Sequence, residues 1–83
     1  MRLYLIKPRK DLPLSDNPWR AVFEKYHAFV IRAKNENEAR EIAHQYDTNG
    51  ETRGYWLDEK YTACVELTNV GEPGVVIADY VNG

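Results

Sequence analysis

The clearest pattern of apolar and polar positions in this chain lies between residues 26 and 46. Residues 26–33 are rich in aromatic and β-branched side chains, which favour a half-buried β-strand. Asn35 follows as a helix N-cap, and Glu38 stands three residues later, as a capping box requires. The next apolar residues repeat at helical spacing, at Ala39, Ile42, Ala43 and Tyr46. This segment predicts a strand followed by a helix with one face on a sheet.

Three further stretches predict strands, at residues 2–7, 62–67 and 75–80. Residues 2–7 are apolar on both faces, which is typical of a central or well-covered strand. The element order is then β-β-α-β-β in a single α+β domain spanning residues 1–83, with a mainly antiparallel sheet and one helix packed on one face. We expect the first two strands to form one hairpin and the last two a second hairpin.

Three connections contain residues typical of turns. The long connection at 9–25 contains Pro18, where a short helical turn capped by Asp16 or Asn17 would begin. The alternative is that Trp19 and Val22 simply fix this loop to the core. After the helix, Asn49 or Gly50 would take a left-handed cap. In the turn at 71–74, Gly74 would adopt a positive φ.

The net charge of −2 hides an uneven distribution along the 83 residues. Residues 1–34 carry eight basic and three acidic groups, whereas residues 35–83 carry three basic and ten acidic groups. One interpretation is that the two halves neutralise each other across the sheet. The other is a basic edge around residues 7–10 opposite an acidic face built from the helix and the C-terminal loops.

Size and composition narrow the class of protein. No apolar run has the roughly 18–20 residues of a membrane span, and the first residues lack a signal-peptide pattern. With the single Cys64 no internal disulfide forms, so a cytoplasmic location fits best. A domain of this size is only marginally stable, and a homodimer would add buried surface.

The sequence contains few residue patterns typical of catalytic or metal-binding sites. Cys64 with His27 or His44 would make a thiol nucleophile and base, but Cys64 lies in an apolar strand, where cysteine is usually a buried hydrophobe. Metal-ligand spacings such as CxxC or HExxH do not occur. We therefore predict a protein that is not an enzyme and that binds no metal and no cofactor.

Two groups of residues are candidates for binding. Aromatic, arginine and acidic residues in a loop supply hot spots at protein contacts, and this group comprises Arg53, Tyr55, Trp56, Asp58, Glu59 and Tyr61. The opposing interpretation is that Trp56 folds back into the core. The alternative function is nucleic-acid binding by the basic N-terminal segment, although the acidic net charge of the chain opposes it. The candidate residues for this function are Lys7, Arg9, Lys10, Trp19 and Arg20.

The chain resembles a group of small, mostly uncharacterised accessory proteins that tailed phages and prophages encode. The resemblance rests on residues 2–6, on 26–33 with 38–40, on Trp56, and on 73–77 before the terminal 82–83. It implies a phage or prophage origin and a non-enzymatic accessory role in the host cell cytoplasm. From it we expect a protein that binds a host or phage protein, as inhibitors of host defence and regulators do.

Overall fold

The computed structural model describes residues 1–80 and contains a three-stranded antiparallel sheet with one helix packed against it. In chain order the regular elements are β1 (Arg2–Pro8), β2 (Phe29–Ala33), α1 (Glu36–Tyr46) and β3 (Thr62–Leu67), with short 3-10 helices at Leu14–Asp16 and Arg53–Leu57. The prediction of an α+β fold with a mainly antiparallel sheet and one packed helix is confirmed. Within residues 1–80, none of the helices has the length and apolar character of a membrane span.

β1 is the central strand, as its two apolar faces predict. The strand order is β2-β1-β3, and β1 is antiparallel to both neighbours. Ile6 lies opposite Phe29 on one side and opposite Cys64 on the other. Because directly opposed residues point to the same face of a sheet, these three side chains share the face that α1 covers.

The core lies between this face and α1. Its buried residues are Tyr4, Ile6, Trp19, Ile31, Ala33, Ala39, Ala43 and Trp56. Small residues at Ala39 and Ala43, one helical turn apart, let α1 approach the sheet closely. Trp19 and Val22 are both buried, so the connection at 9–25 is fixed to the body of the domain as expected.

The start of α1 follows its sequence signals closely. Asn35 Oδ1 accepts a hydrogen bond from the Glu38 backbone N–H at 2.9 Å, which is the predicted N-cap. The Glu38 carboxylate reaches back as in a capping box, but it accepts from the N–H of Lys34, one residue before the cap. At the other end the helix closes on Asp47 in an extended conformation, so the predicted left-handed cap at Asn49 or Gly50 is wrong.

The C-terminal part differs most from expectation. Within the described residues 75–80 there is no strand, so the predicted second hairpin is absent there and β3 pairs with β1 instead. Residues 75–80 have strand-forming side chains, but none of their backbone groups joins the sheet. The positive φ also lies elsewhere than predicted, at Gly71 and not at Gly74. Part of the phage-like pattern, residues 82–83, lies outside the described residues.

The second face of the sheet is only partly covered. Leu5 on β1 lies opposite Val30 on β2 and Val65 on β3. Leu5 is 5% exposed, whereas Val30 and Val65 are 54% and 55% exposed. The centre of this face is therefore shielded, while its two outer strands present apolar side chains to solvent.

Candidate functional site

The loop that contains the predicted protein-interface residues begins with the 3-10 helix Arg53–Leu57, beside α1. Trp56 in this helix is fully buried, and its ring centroid lies 5.0 Å from that of Trp19 and 4.8 Å from that of Phe29. The prediction that Trp56 is an interface residue is therefore wrong, and the opposing interpretation, that it folds back into the core, is correct. Burying a tryptophan strongly stabilises so small a domain. The rest of the loop is positioned by this anchor.

Asp47 holds that anchor in place. Its Oδ2 accepts hydrogen bonds from the Trp56 indole Nε1 and the Thr52 hydroxyl, each at 2.7 Å, and its Oδ1 accepts from the Asn49 N–H at 2.9 Å. Burial opposes ionisation of Asp47, but the hydrogen bonds from Thr52, Asn49 and Trp56 and the charge of Arg53 outweigh it, so the pKa lies below its usual value. A buried carboxylate with three donors is a structural element that orders residues 47–57.

Arg40 joins the same loop to β3. Although it is a helix residue, its side chain is buried, and the guanidinium donates to the Trp56 carbonyl at 3.1 Å and to the Thr62 hydroxyl at 2.6 Å. Its Nε also pairs with Glu36 Oε2 at 2.9 Å, one helical turn earlier. The guanidinium is thus satisfied on both sides, as a buried charge requires.

The exposed end of the loop is fixed by a carboxylate from the 9–25 connection. Asp16 accepts a hydrogen bond from the Tyr61 hydroxyl at 2.8 Å, and Asp16 Oδ2 lies 2.7 Å from Lys60 Nζ. The hydrogen bond from Lys60, then that from Tyr61, lowers the pKa of Asp16, and the bond to Asp16 raises the pKa of both Lys60 and Tyr61. Tyr55 packs edge-on against Tyr61, with ring centroids 4.9 Å apart.

The remaining interface candidates lie at the surface of this loop. Arg53, Asp58 and Glu59 are exposed, while Tyr55 and Tyr61 are half-buried. Asp58 accepts from the Lys60 N–H at 2.9 Å, and the Glu59 carbonyl accepts from Arg9 Nε at 2.7 Å. The structure brings these residues together on one ordered loop, and whether they contact a partner stays a prediction.

The basic residues proposed for nucleic-acid binding are not accompanied by an exposed Trp19 ring. Trp19 is 4% exposed, and its Nε1 donates to the Tyr61 carbonyl at 3.1 Å, so it has no free face for stacking on a base. The prediction that Trp19 binds nucleic acid is therefore wrong. Arg9 and Arg20 are exposed, and Lys7 and Lys10 line a cleft of about 770 Å³ on the β2 side of β1.

The thiol and imidazole groups have other contacts. Burial and the nearby Glu36 raise the pKa of Cys64, which Arg40 offsets only in part, so the thiol is a weak nucleophile. His44 Nδ1 donates to the Arg53 carbonyl at 2.9 Å, and His27 Nδ1 lies 3.1 Å from Asp79 Oδ1. Across residues 1–80, no three His, Cys, Asp or Glu side chains converge as metal ligands would.

Comparisons with known proteins add no further guidance. No family model, curated protein or solved structure matches this chain. The likeness to phage accessory proteins therefore stays a prediction.

Proposed function

We propose that this chain is a non-catalytic accessory protein of phage or prophage origin that acts in the host cytoplasm by binding another protein, as a host-defence inhibitor or a regulator. The observation that carries this proposal is the fixed geometry of residues 58–61. Asp16 binds both Lys60 and Tyr61, and Arg9 binds the Glu59 carbonyl. An exposed loop that such contacts tie to a distant segment is ordered before it meets a partner.

Such order favours binding because little conformational entropy remains to be lost when the complex forms. The loop presents the mixture of groups that protein interfaces use. Leu57 is an exposed apolar residue, Arg53 is an exposed cation, and Asp58 and Glu59 are exposed anions. Trp56 contributes from below by holding the 3-10 helix against the core.

The experiment compares affinity capture from infected and uninfected host cells by the wild-type protein and by Leu57→Arg. The matched control is Asn69→Arg, which places the same group at an exposed position beyond the far end of β3. We expect a specific protein to be retained by the wild type and the control and lost from Leu57→Arg, with all three proteins melting alike. Equal retention by all three would show that the loop is not the binding surface.

For the alternative function, nucleic-acid binding, only the basic side chains remain as support. We expect weak anisotropy changes with a labelled oligonucleotide even at low salt, because Trp19 is buried and the net charge is −2. Submicromolar binding that falls steeply with added salt would favour the alternative instead.

A further inference from the structure

A cleft separates the start of β2 from the C-terminal segment, defined as residues 75–80. Residues 26–30 form one wall of this cleft and the C-terminal segment forms the other, around a volume of about 770 Å³. A second groove of about 470 Å³ continues from it along residues 28–32, where Ile42 and Tyr46 of α1 complete the lining. Consecutive residues of a strand point to opposite faces, so a groove lined by five in a row follows the edge of that strand.

This edge of β2 has unused backbone groups. β1 occupies one side of β2, and within residues 1–80 no strand pairs with the other side. The C-terminal segment approaches without joining the sheet: among the described residues, no backbone hydrogen bond links 75–80 to 26–33. Their polar contact is between side chains, from His27 to Asp79 at 3.1 Å. A free strand edge is the surface to which an extended peptide adds by backbone hydrogen bonding.

The charge of the cleft indicates which peptide would fit. Three lysines line it, at positions 7, 10 and 25, against the single acidic residue Asp79, and that carboxylate already contacts His27. Between these charges the walls are apolar, formed by Phe29, Val30 and Ile77 among others. A strand with alternating acidic and apolar side chains matches both properties, because alternate residues face the two sides.

We propose that the cleft and the β2 edge bind an extended, acidic peptide segment of a partner protein, which adds to the sheet as a fourth strand next to β2. This proposal rests on the proposed function as a protein-binding protein, and it adds a second site and the chemistry of its ligand. A nucleic acid fits less well, since the apolar walls and Asp79 offer nothing to phosphate and Trp19 is not free to stack.

The first test measures fluorescence anisotropy with a labelled eight-residue peptide of alternating glutamate and valine. A peptide with lysine in place of glutamate is its matched partner. We expect the acidic peptide to bind and the basic peptide not to bind. We also expect Lys10→Glu to weaken the acidic peptide about tenfold or more, because it reverses a charge at the site. Lys34→Glu makes the same change just beyond the other end of β2, outside the lining of the cleft, and should weaken the acidic peptide less than Lys10→Glu does.

The second test locates the peptide by amide hydrogen exchange. Bound peptide should slow the exchange of those amides in 29–33 that point away from β1, and should leave the outer amides of β3 unchanged. Equal binding of both peptides, protection on β3, or displacement by an oligonucleotide would each overturn the proposal. A dimer whose β2 amides are protected before any peptide is added would overturn it in favour of a second copy of the chain.

These outcomes separate the two proposals. If no peptide binds the cleft but capture still depends on Leu57, the cleft proposal falls and the protein-binding function stands. If the peptide binds and capture is independent of Leu57, the working surface is the β2 edge and not the loop at 53–61.

Discussion

Replacing Asp47 with asparagine tests the central structural claim, that one buried carboxylate organises residues 47–57. The substitution keeps the shape of the side chain but leaves only one oxygen. In one orientation that oxygen takes the place of Oδ2 and accepts the hydrogen bonds from Trp56 and Thr52. The amide nitrogen then faces the Asn49 N–H, so that two hydrogen-bond donors point at each other. The reverse orientation leaves two buried donors without an acceptor, which is the worse outcome.

The expected loss follows from these contacts. A hydrogen bond to a charged group contributes about 1.5–3 kcal/mol, so losing one such bond in the better orientation should lower the free energy of unfolding by about 2 kcal/mol. That is a large part of the roughly 5 kcal/mol expected for a domain of this size. Asp58→Asn is the matched control, because Asp58 accepts from a backbone N–H in the same local way but is exposed, and its change should stay within about 0.5 kcal/mol.

Urea unfolding followed by tryptophan fluorescence measures this loss directly, since both Trp19 and Trp56 are buried in the folded state. We expect the midpoint to fall for Asp47→Asn with the slope of the transition unchanged. An ordinary surface substitution changes the free energy of unfolding by less than about 0.5 kcal/mol. If the change for Asp47→Asn is no larger than that, the three hydrogen bonds do not stabilise the fold.

The pH dependence gives an independent test of the same group. The pKa of Asp47 is lowered in the folded state, so its contribution to stability is present above the unfolded value of about 3.9 and is lost as the pH falls through the folded pKa. We expect the wild type to lose stability below about pH 4 more steeply than Asp47→Asn, which has no charge to lose at this position. Parallel profiles for the two proteins would show that Asp47 titrates normally.

Three further predictions concern single side chains. Arg40→Lys should lower the melting temperature by about 10 °C, because one ammonium cannot replace the three guanidinium nitrogens, of which Nε reaches Glu36, Nη1 reaches Trp56 and the Thr62 hydroxyl, and Nη2 reaches the Thr62 carbonyl. The exposed Arg32→Lys should melt like the wild type, and equal melting of the two variants would contradict the buried role of Arg40. Asn35→Ala should lower the free energy of unfolding in urea by about 1 kcal/mol, and the exposed Asn37→Ala should lower it far less. Equal losses would show that the Asn35 cap does not stabilise the helix. Iodoacetamide should modify Cys64 much more slowly in buffer than in urea, since burial raises the pKa of the thiol; equal rates would contradict this.

The elements that the sequence predicts well are those governed by neighbouring residues. The N-cap at Asn35 and the burial of Ala39 and Ala43 depend on contacts within a few positions, and the structure has both. Ile42 and Tyr46, which the same helical repeat placed on the packed face, are exposed. The central position of β1 also follows locally, from apolar side chains on both of its faces. None of these features requires knowing which distant segments meet.

The features that the sequence could not predict depend on such meetings. The indole N–H of the buried Trp56 has its acceptor in Asp47, and nothing in the spacing of these two residues requires that bond. Arg40 looks like one half of a surface pair with Glu36, and its burial depends on where β3 begins. Residues 75–80 have the composition of a strand but have no paired neighbour in the described chain. Composition reports what a segment is able to form, and only the assembled sheet decides whether it does.

The central position of β1 has a consequence for the order in which the chain assembles. The β1–β2 ladder joins residues 23 to 31 positions apart, whereas the β1–β3 ladder joins residues 54 to 64 positions apart. During synthesis, β2 and α1 therefore become available to β1 well before β3 is made. Until β3 pairs with it, one side of the central strand β1 is an open edge, the kind of surface on which unfinished chains aggregate. We expect a chain that has folded only β1, β2 and α1 to aggregate more readily than one in which β3 is also paired.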